Sequence, residues 1–180
     1  GQKWYDGNTL SVAIGQENSA FTPIQLATYA ATLANNGTRY RTHFVKAILD
    51  TNTGEVLSET QPEVMDVIEG NGNTFDLVRQ GMTLVPSTIS GKISSYPIAI
   101  ACKTGTAQWQ GTTSTGSFSG SDHASFVLYA PADNPEIAIS VYVERGSQGG
   151  NLANVCIPIL DAYFSSSAKY ETVATENIAY

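Results

Sequence analysis

Three apolar runs in the last half of the chain are separated by two non-helical connections, and this pattern limits the fold more than any other. The first run, Ile98–Thr104, opens into a polar stretch from Gln108 to Asp122 that is rich in Gly, Ser and Thr. The second, Ala124-Ser125-Phe126-Val127-Leu128-Tyr129, is closed by Pro131-Ala132-Asp133-Asn134-Pro135. The third covers Glu136–Glu144, with Ile137, Ile139, Val141 and Val143 alternating with other residues at the period of a strand. Strands joined without a crossover helix predict an antiparallel sheet.

Helices are predicted on either side of these runs. Residues 22–36 carry the clearest signals. Thr22 is a good N-cap, Pro23 falls at the first helical position, and Gln25 completes a capping box. Asn35-Asn36-Gly37 supplies a left-handed stop. Apolar residues cover more than one face of this helix, which predicts interior packing. A hairpin follows: Phe44–Leu49 as one strand, a turn over Asp50–Gly54, and Glu55–Leu57 returning. After a loop at Gly70–Asn73, a second helix fits Thr74–Leu84. Asn73 is its expected cap, and it stops before Val85-Pro86 because a residue preceding proline avoids the helical region. A glycine loop at Gly146–Gly150 leads to a C-terminal helix capped by Asn151 and reaching about Phe164, with Pro158 expected to kink it unless it starts later. Residues 1–20 read as a loop with one short strand at Leu10–Ile14. The predicted class is therefore α+β, an antiparallel sheet with packed helices over residues 1–164, and residues 165–180 are expected to be a flexible tail.

Composition excludes several functions. At 180 residues the chain can bury a real core, and with 42% hydrophobic and 14% charged residues it reads as globular. A net charge of −7 argues against a nucleic-acid partner, which would require a basic face. Much of the acid lies between Glu55 and Asp76 and reads as solvated surface. No run of about 18 apolar residues is present, and no signal peptide is visible at Gly1, so any anchor is expected outside these residues. Cys102 and Cys156 are expected to be buried free thiols, since two cysteines make no disulfide scaffold. His43 and His123 lack companions at metal-ligand spacing, and neither a metal nor another cofactor is expected.

The chemistry concentrates at the end of the first apolar run, in Lys103-Thr104-Gly105-Thr106. Alternation places Ala99, Ala101, Lys103 and Gly105 on one face of a strand, with Ile98, Ile100, Cys102 and Thr104 on the other. Cys102 and its apolar neighbours can face a core, which turns Lys103 toward a cleft or solvent. Gly105 has no side chain, so a ligand backbone can approach the strand closely. Thr106 offers both a hydroxyl and a backbone N–H. A cation, two hydroxyls and a bare backbone suit a small carboxylate and a carbonyl oxygen that develops charge.

Lys-Thr-Gly is also one of three signatures shared by penicillin-binding proteins and serine β-lactamases. Other segments accompany it: Ile14-Gly15-Gln16 with Phe21-Thr22-Pro23-Ile24-Gln25-Leu26-Ala27, then Ala34-Asn35-Asn36-Gly37-Thr38, Ala101 to Gln108, His123–Phe126 with Tyr129–Glu136, and Val143-Glu144-Arg145-Gly146. Together, over roughly residues 10–164, these resemble the C-terminal part of the transpeptidase domain of a class B penicillin-binding protein, of the elongation (PBP2-like) type. The resemblance implies a partial penicillin-binding-protein/serine β-lactamase-like fold in a peptidoglycan D,D-transpeptidase that cross-links stem peptides ending in D-Ala-D-Ala and is trapped by β-lactams. It implies a membrane-anchored parent working at the extracytoplasmic face of the bacterial cell membrane. Carried over to these positions, Lys103 brings positive charge, Thr104 and Thr106 bind the substrate carboxylate, and the Thr106 backbone forms one side of an oxyanion hole. Gln108 and Trp109 then fall at the substrate cleft, although Trp109 could equally cap the sheet. Cys102 departs from the family, which usually has glycine there.

The other two signatures are not found in place. No Ser-x-Asn triplet occurs, and the one Ser-x-x-Lys match, Ser166-Ser167-Ala168-Lys169, comes after Lys-Thr-Gly in a polar stretch that gives a nucleophile no rigid support. The nucleophilic serine is therefore expected outside this chain, in an N-terminal part of the same domain, and the chain is expected to be inactive alone. Without that part, apolar surface on helix 22–36 and on one sheet face would be exposed, which invites dimerisation. Two other readings compete: a non-catalytic β-lactam- or peptidoglycan-binding module, and a β-lactam sensor or serine β-lactamase relative. His123 reads as structural, and Glu144 and Arg145 as a surface pair or solvent-facing charges.

Overall fold

The structure, a computed structural model, describes residues 3–16, 19–89, 91–108, 110–113, 116–119 and 122–176. In chain order the elements are helix α1 (Asp6–Ala13), helix α2 (Pro23–Ala34), strands β1 (Thr38–Tyr40), β2 (Ala47–Leu49), β3 (Val56–Glu59) and β4 (Val64–Val67), helix α3 (Thr74–Leu84), strands β5 (Ala101–Ala107), β6 (Gln110–Thr113), β7 (Gly116–Ser119), β8 (His123–Ala130) and β9 (Ile137–Val143), and helix α4 (Ala153–Glu176). Short 3-10 turns lie at Val85–Thr88, Lys92–Ser95 and Gly149–Leu152.

The centre is the antiparallel sheet β5-β8-β9, as the alternating runs predict. Its register runs from Ala101 opposite Tyr129 to Ala107 opposite His123, and from Ala124 opposite Val143 to Ala130 opposite Ile137. Alternation then sorts the side chains into two cores. Cys102, Phe126, Leu128 and Ile139 pack with Leu152, Cys156, Ile157 and Leu160 on the α4 side. Ala101 and Tyr129 pack with Ala34 of α2 and Met82 of α3 on the other. The fold is thus helix, sheet, helix in three layers, with α2 against β8 and β9 and α3 against β5. Both cysteines are free and fully buried.

Helix α2 begins as its sequence dictates. Thr22 Oγ1 accepts the Gln25 N–H at 3.3 Å, and Gln25 Oε1 accepts the Thr22 N–H at 2.8 Å. It ends with Asn36 at φ 53° and Gly37 at φ 89°. Removing the cap by Thr22→Ala should cost about 1 kcal/mol of stability, read from urea unfolding, and an unchanged midpoint would show that the cap contributes nothing. Interior packing of the whole helix is not observed. Only Ala30, Thr32 and Ala34 are buried, while Ile24 and Tyr29 are more than half exposed. They border an open groove of about 600 Å³ that Phe21, Tyr40, Met65 and Ile68 also line.

Several local expectations need correction. Leu10–Ile14 is not a strand: α1 covers this region, with Asn8 Oδ1 accepting the Tyr5 N–H at 2.9 Å in the first turn. None of its residues is buried, so no apolar periodicity marked it. The first hairpin strand starts at Ala47, and Phe44 is fully exposed. β1 pairs with β4 across the hairpin, a ladder the sequence did not suggest. α3 covers the predicted residues, but Asn73 makes no side-chain cap; Thr74 Oγ1 instead donates to Asn71 O at 2.6 Å. Val85 is helical (φ −62°, ψ −41°) despite preceding Pro86, because the chain tightens into a 3-10 turn there. β5 lies about three residues later than predicted, and the polar stretch after it contains the hairpin β6–β7. α4 starts at Ala153, keeps Pro158 inside it, and continues past Phe164 to Glu176. Among the described residues, no helix is long and apolar enough to cross a membrane.

Candidate functional site

β5 pairs with β8 along one edge, and its other edge is open among the described residues. Lys103, Thr104, Gly105 and Thr106 all lie on this strand. Its first half is anchored by Ala101 and Cys102, which are fully buried on opposite faces. Its second half rises toward solvent: Lys103 and Thr106 are exposed, and Thr104 and Gly105 are half-buried. The strand is held by its core end and presents its polar end.

Lys103 follows the expected alternation, pointing away from the α4 core, and its Nζ donates to the Thr104 carbonyl at 2.7 Å. Thr104 sits opposite the buried Phe126. Gly105 sits opposite Ser125, and a Cβ at Gly105 would overlap Ser125 Oγ. Thr106 Oγ1 accepts the Gly149 N–H at 3.3 Å. Gln108 is exposed just beyond the strand end. Trp109 and the side chains of Ser166 and Lys169 lie outside the described residues.

The neighbouring thiol adds no charge here. Burial pushes Cys102 up to about 12, with Cys156 adding to the rise and Lys103 opposing it. Burial likewise lifts Cys156 to about 11. The cation at Lys103 therefore faces no thiolate on its own strand.

Sequence reasoning missed two residues that touch this strand. Ser125 fills the space beside Gly105. Gly149 rests against the backbone of Gly105 and Ser125, where the only sequence signal was the cluster of glycines between 146 and 150. His123 has a defined packing place: its Nδ1 accepts the Arg145 N–H at 3.2 Å, and its ring stacks on Tyr142 at 5.8 Å between centroids.

Lys-Thr-Gly, a motif shared by penicillin-binding proteins and serine β-lactamases, lies here on the open edge strand of an antiparallel sheet between helical layers. Residues 1–160 match the family model described as "Penicillin binding protein transpeptidase domain", and the chain belongs to that family, in its PBP2-type branch. It is 33% identical over 94% of its length to "Penicillin-binding protein 2A" of Bacillus subtilis (strain 168), covering 25% of that protein. It is also 33% identical over 93% of its length to "Peptidoglycan D,D-transpeptidase MrdA" of Acinetobacter baumannii, covering 26% of that protein. Among solved structures, penicillin-binding protein 2B of Streptococcus pneumoniae (strain R6) superposes with a TM-score of 0.73 at 26% identity, over 91% of this chain and 28% of that one. The chain thus spans about a quarter of the length of the curated relatives it matches. The α+β class and the family expected from the sequence are both borne out.

Proposed function

We propose that this chain is the Lys-Thr-Gly-bearing part of a peptidoglycan D,D-transpeptidase and forms one wall of its acyl-transfer site. The observation that carries the reading is the open edge of β5. Consecutive residues of a strand project to opposite faces. A ligand lying along this edge therefore meets Lys103 from one side and the Thr104 and Thr106 hydroxyls from the other. An extended peptide can pair with such an edge by main-chain hydrogen bonds.

A stem peptide ending in D-Ala-D-Ala, or a β-lactam, would lie there with its carboxylate near Lys103, Thr104 and Thr106. A serine from the preceding part of the same domain attacks the carbonyl carbon, and the Thr106 N–H donates to the oxyanion that forms. The second donor is the N–H of that serine. The leaving D-alanine takes a proton, and the acyl group passes to an amine of a neighbouring strand. Gln108, exposed just beyond the end of β5, borders the bound peptide. The parent protein is anchored in the bacterial membrane and works at its extracytoplasmic face.

Fluorescent penicillin tests this. The complete protein carrying residues 1–180 should form one covalent adduct per molecule, and the isolated chain should form none. An adduct on the isolated chain that survives Ser166→Ala would place a nucleophile among the other serines of this chain. One that disappears with Ser166→Ala would make Ser166 the nucleophile. Either result overturns the division of labour proposed.

A further inference from the structure

The turn after β9 reaches back to the Lys-Thr-Gly strand. It is tied to the start of β8 by two backbone donors, Arg145 N–H to His123 Nδ1 at 3.2 Å and Ser147 N–H to Asp122 O at 2.9 Å. Arg145 and Ser147 both have positive φ, 55° and 68°, so the chain reverses sharply there. This geometry delivers Gly149, which is buried, onto the sheet beside Gly105 and Thr106. A Cβ on Gly149 would lie 2.5 Å from Ser125 O and 2.9 Å from Gly105 N, and would also overlap Gly105 O. All three are backbone atoms of a paired sheet and cannot step aside. Only glycine brings its amide close enough for the 3.3 Å hydrogen bond to Thr106 Oγ1. At Gly150, by contrast, a Cβ would meet nothing nearer than Ile89 Cγ2 at 3.7 Å, an ordinary contact.

A threonine hydroxyl has one proton and two lone pairs. The Gly149 N–H occupies a lone pair of Thr106 Oγ1, so the hydroxyl proton must point elsewhere. Among the described residues no acceptor receives it, and Thr106 is exposed at the open end of β5. A hydroxyl that accepts one hydrogen bond also becomes a better donor in the next. We infer that Gly149 is a positioning residue for carboxylate recognition: its N–H fixes the Thr106 hydroxyl as a donor aimed at the carboxylate of the substrate or β-lactam. Gly149 touches no ligand and acts only through Thr106. This deepens the transpeptidase reading and rests on it.

The test compares acylation of the complete protein by benzylpenicillin and by its methyl ester, which lacks the anionic carboxylate. Gly149→Ala should lower the acid-to-ester rate ratio about tenfold, the size expected of one hydrogen bond to a charged group. Thr106→Val should lower it to the same extent, and the double variant no further. Gly150→Ala should leave it unchanged. Equal slowing of acid and ester in Gly149→Ala would overturn the inference, as would a full additional loss when Gly149→Ala is placed on Thr106→Val. Should Gly149→Ala form no adduct with either compound, Thr106→Val still decides. Removing only the acceptor should speed hydrogen exchange of the Gly149 amide about tenfold, and an unchanged rate overturns the inference. A wild-type protein that forms no adduct at all overturns the transpeptidase reading instead, and this inference with it.

Discussion

Lys103→Ala in the complete protein should slow acylation by penicillin by a factor of about 10²–10³, the usual cost of removing one donor aimed at developing or fixed negative charge. The expectation follows from placement. Lys103 is exposed on an edge strand whose preceding residues are fully buried, so the cation is held in position by the core without being buried itself. Its Nζ already lies 2.7 Å from the Thr104 carbonyl, over the segment that would hold the carboxylate. Stability should change by less than about 0.5 kcal/mol, because the side chain contributes little to either core. Lys103→Arg should not restore the rate: a planar fork in place of a compact ammonium cannot keep the contact with Thr104 O and present the same point charge. Raising ionic strength should slow the wild type more than Lys103→Ala, since exposed charges are screened. Acylation of Lys103→Ala at the wild-type rate would remove this strand from the proposed site.

The parts of this fold that were legible in the sequence are those set by neighbours in the chain. Thr22, Pro23 and Gln25 specify the start of α2 within four residues, and the hydrogen bonds formed are those their chemistry predicts. The alternation of Ile137, Ile139 and Val141 on β9 works for the same reason, because one face of that strand meets the α4 core. Features that depend on distant partners were not legible. β1 is three residues long and finds β4 across an intervening hairpin, so neither strand carries a pattern of its own. α1 buries nothing and therefore has no apolar stripe to announce it. The Val85 conformation is not legible locally either, because the rule about residues preceding proline gives way to a tighter 3-10 turn.

The site shows the same division. Lys103, Thr104, Gly105 and Thr106 are consecutive, so the motif and the alternation of their side chains could be read directly. Gly149 lies 43 residues from Thr106, and what brings it there is a turn containing two non-glycine residues at positive φ. Composition marked that turn as rich in glycine, but which glycine touches the strand depends on the register of β8 and β9. Ser125 is similar: its place beside Gly105 follows only once the β5–β8 register is known.

The second large effect is on stability, at Phe126. This residue is 1% exposed, lies in the middle of the central strand β8, and packs in the core shared with Leu160, Cys156 and Leu152. It also stands directly opposite Thr104, so the same side chain that fills the core supports the strand of the site. Phe126→Ala should cost about 3–5 kcal/mol, from lost burial plus the cavity left behind. That is a large share of the roughly 5–15 kcal/mol available to a folded domain. Urea unfolding should show a lower midpoint with the slope unchanged, because the surface exposed on unfolding is nearly the same. Phe126→Leu should recover more than half of the loss, since it refills most of the volume with apolar atoms. The consequence for the site is a second, separable readout. At temperatures where Phe126→Leu remains folded, its acylation rate should stay near that of the wild type, because no group facing the open edge has been removed. A loss below about 1 kcal/mol in Phe126→Ala would mean that the β8 core does not hold the Lys-Thr-Gly strand in place, and the anchoring of β5 would then have to come from α3 and the Ala101–Tyr129 side of the sheet alone.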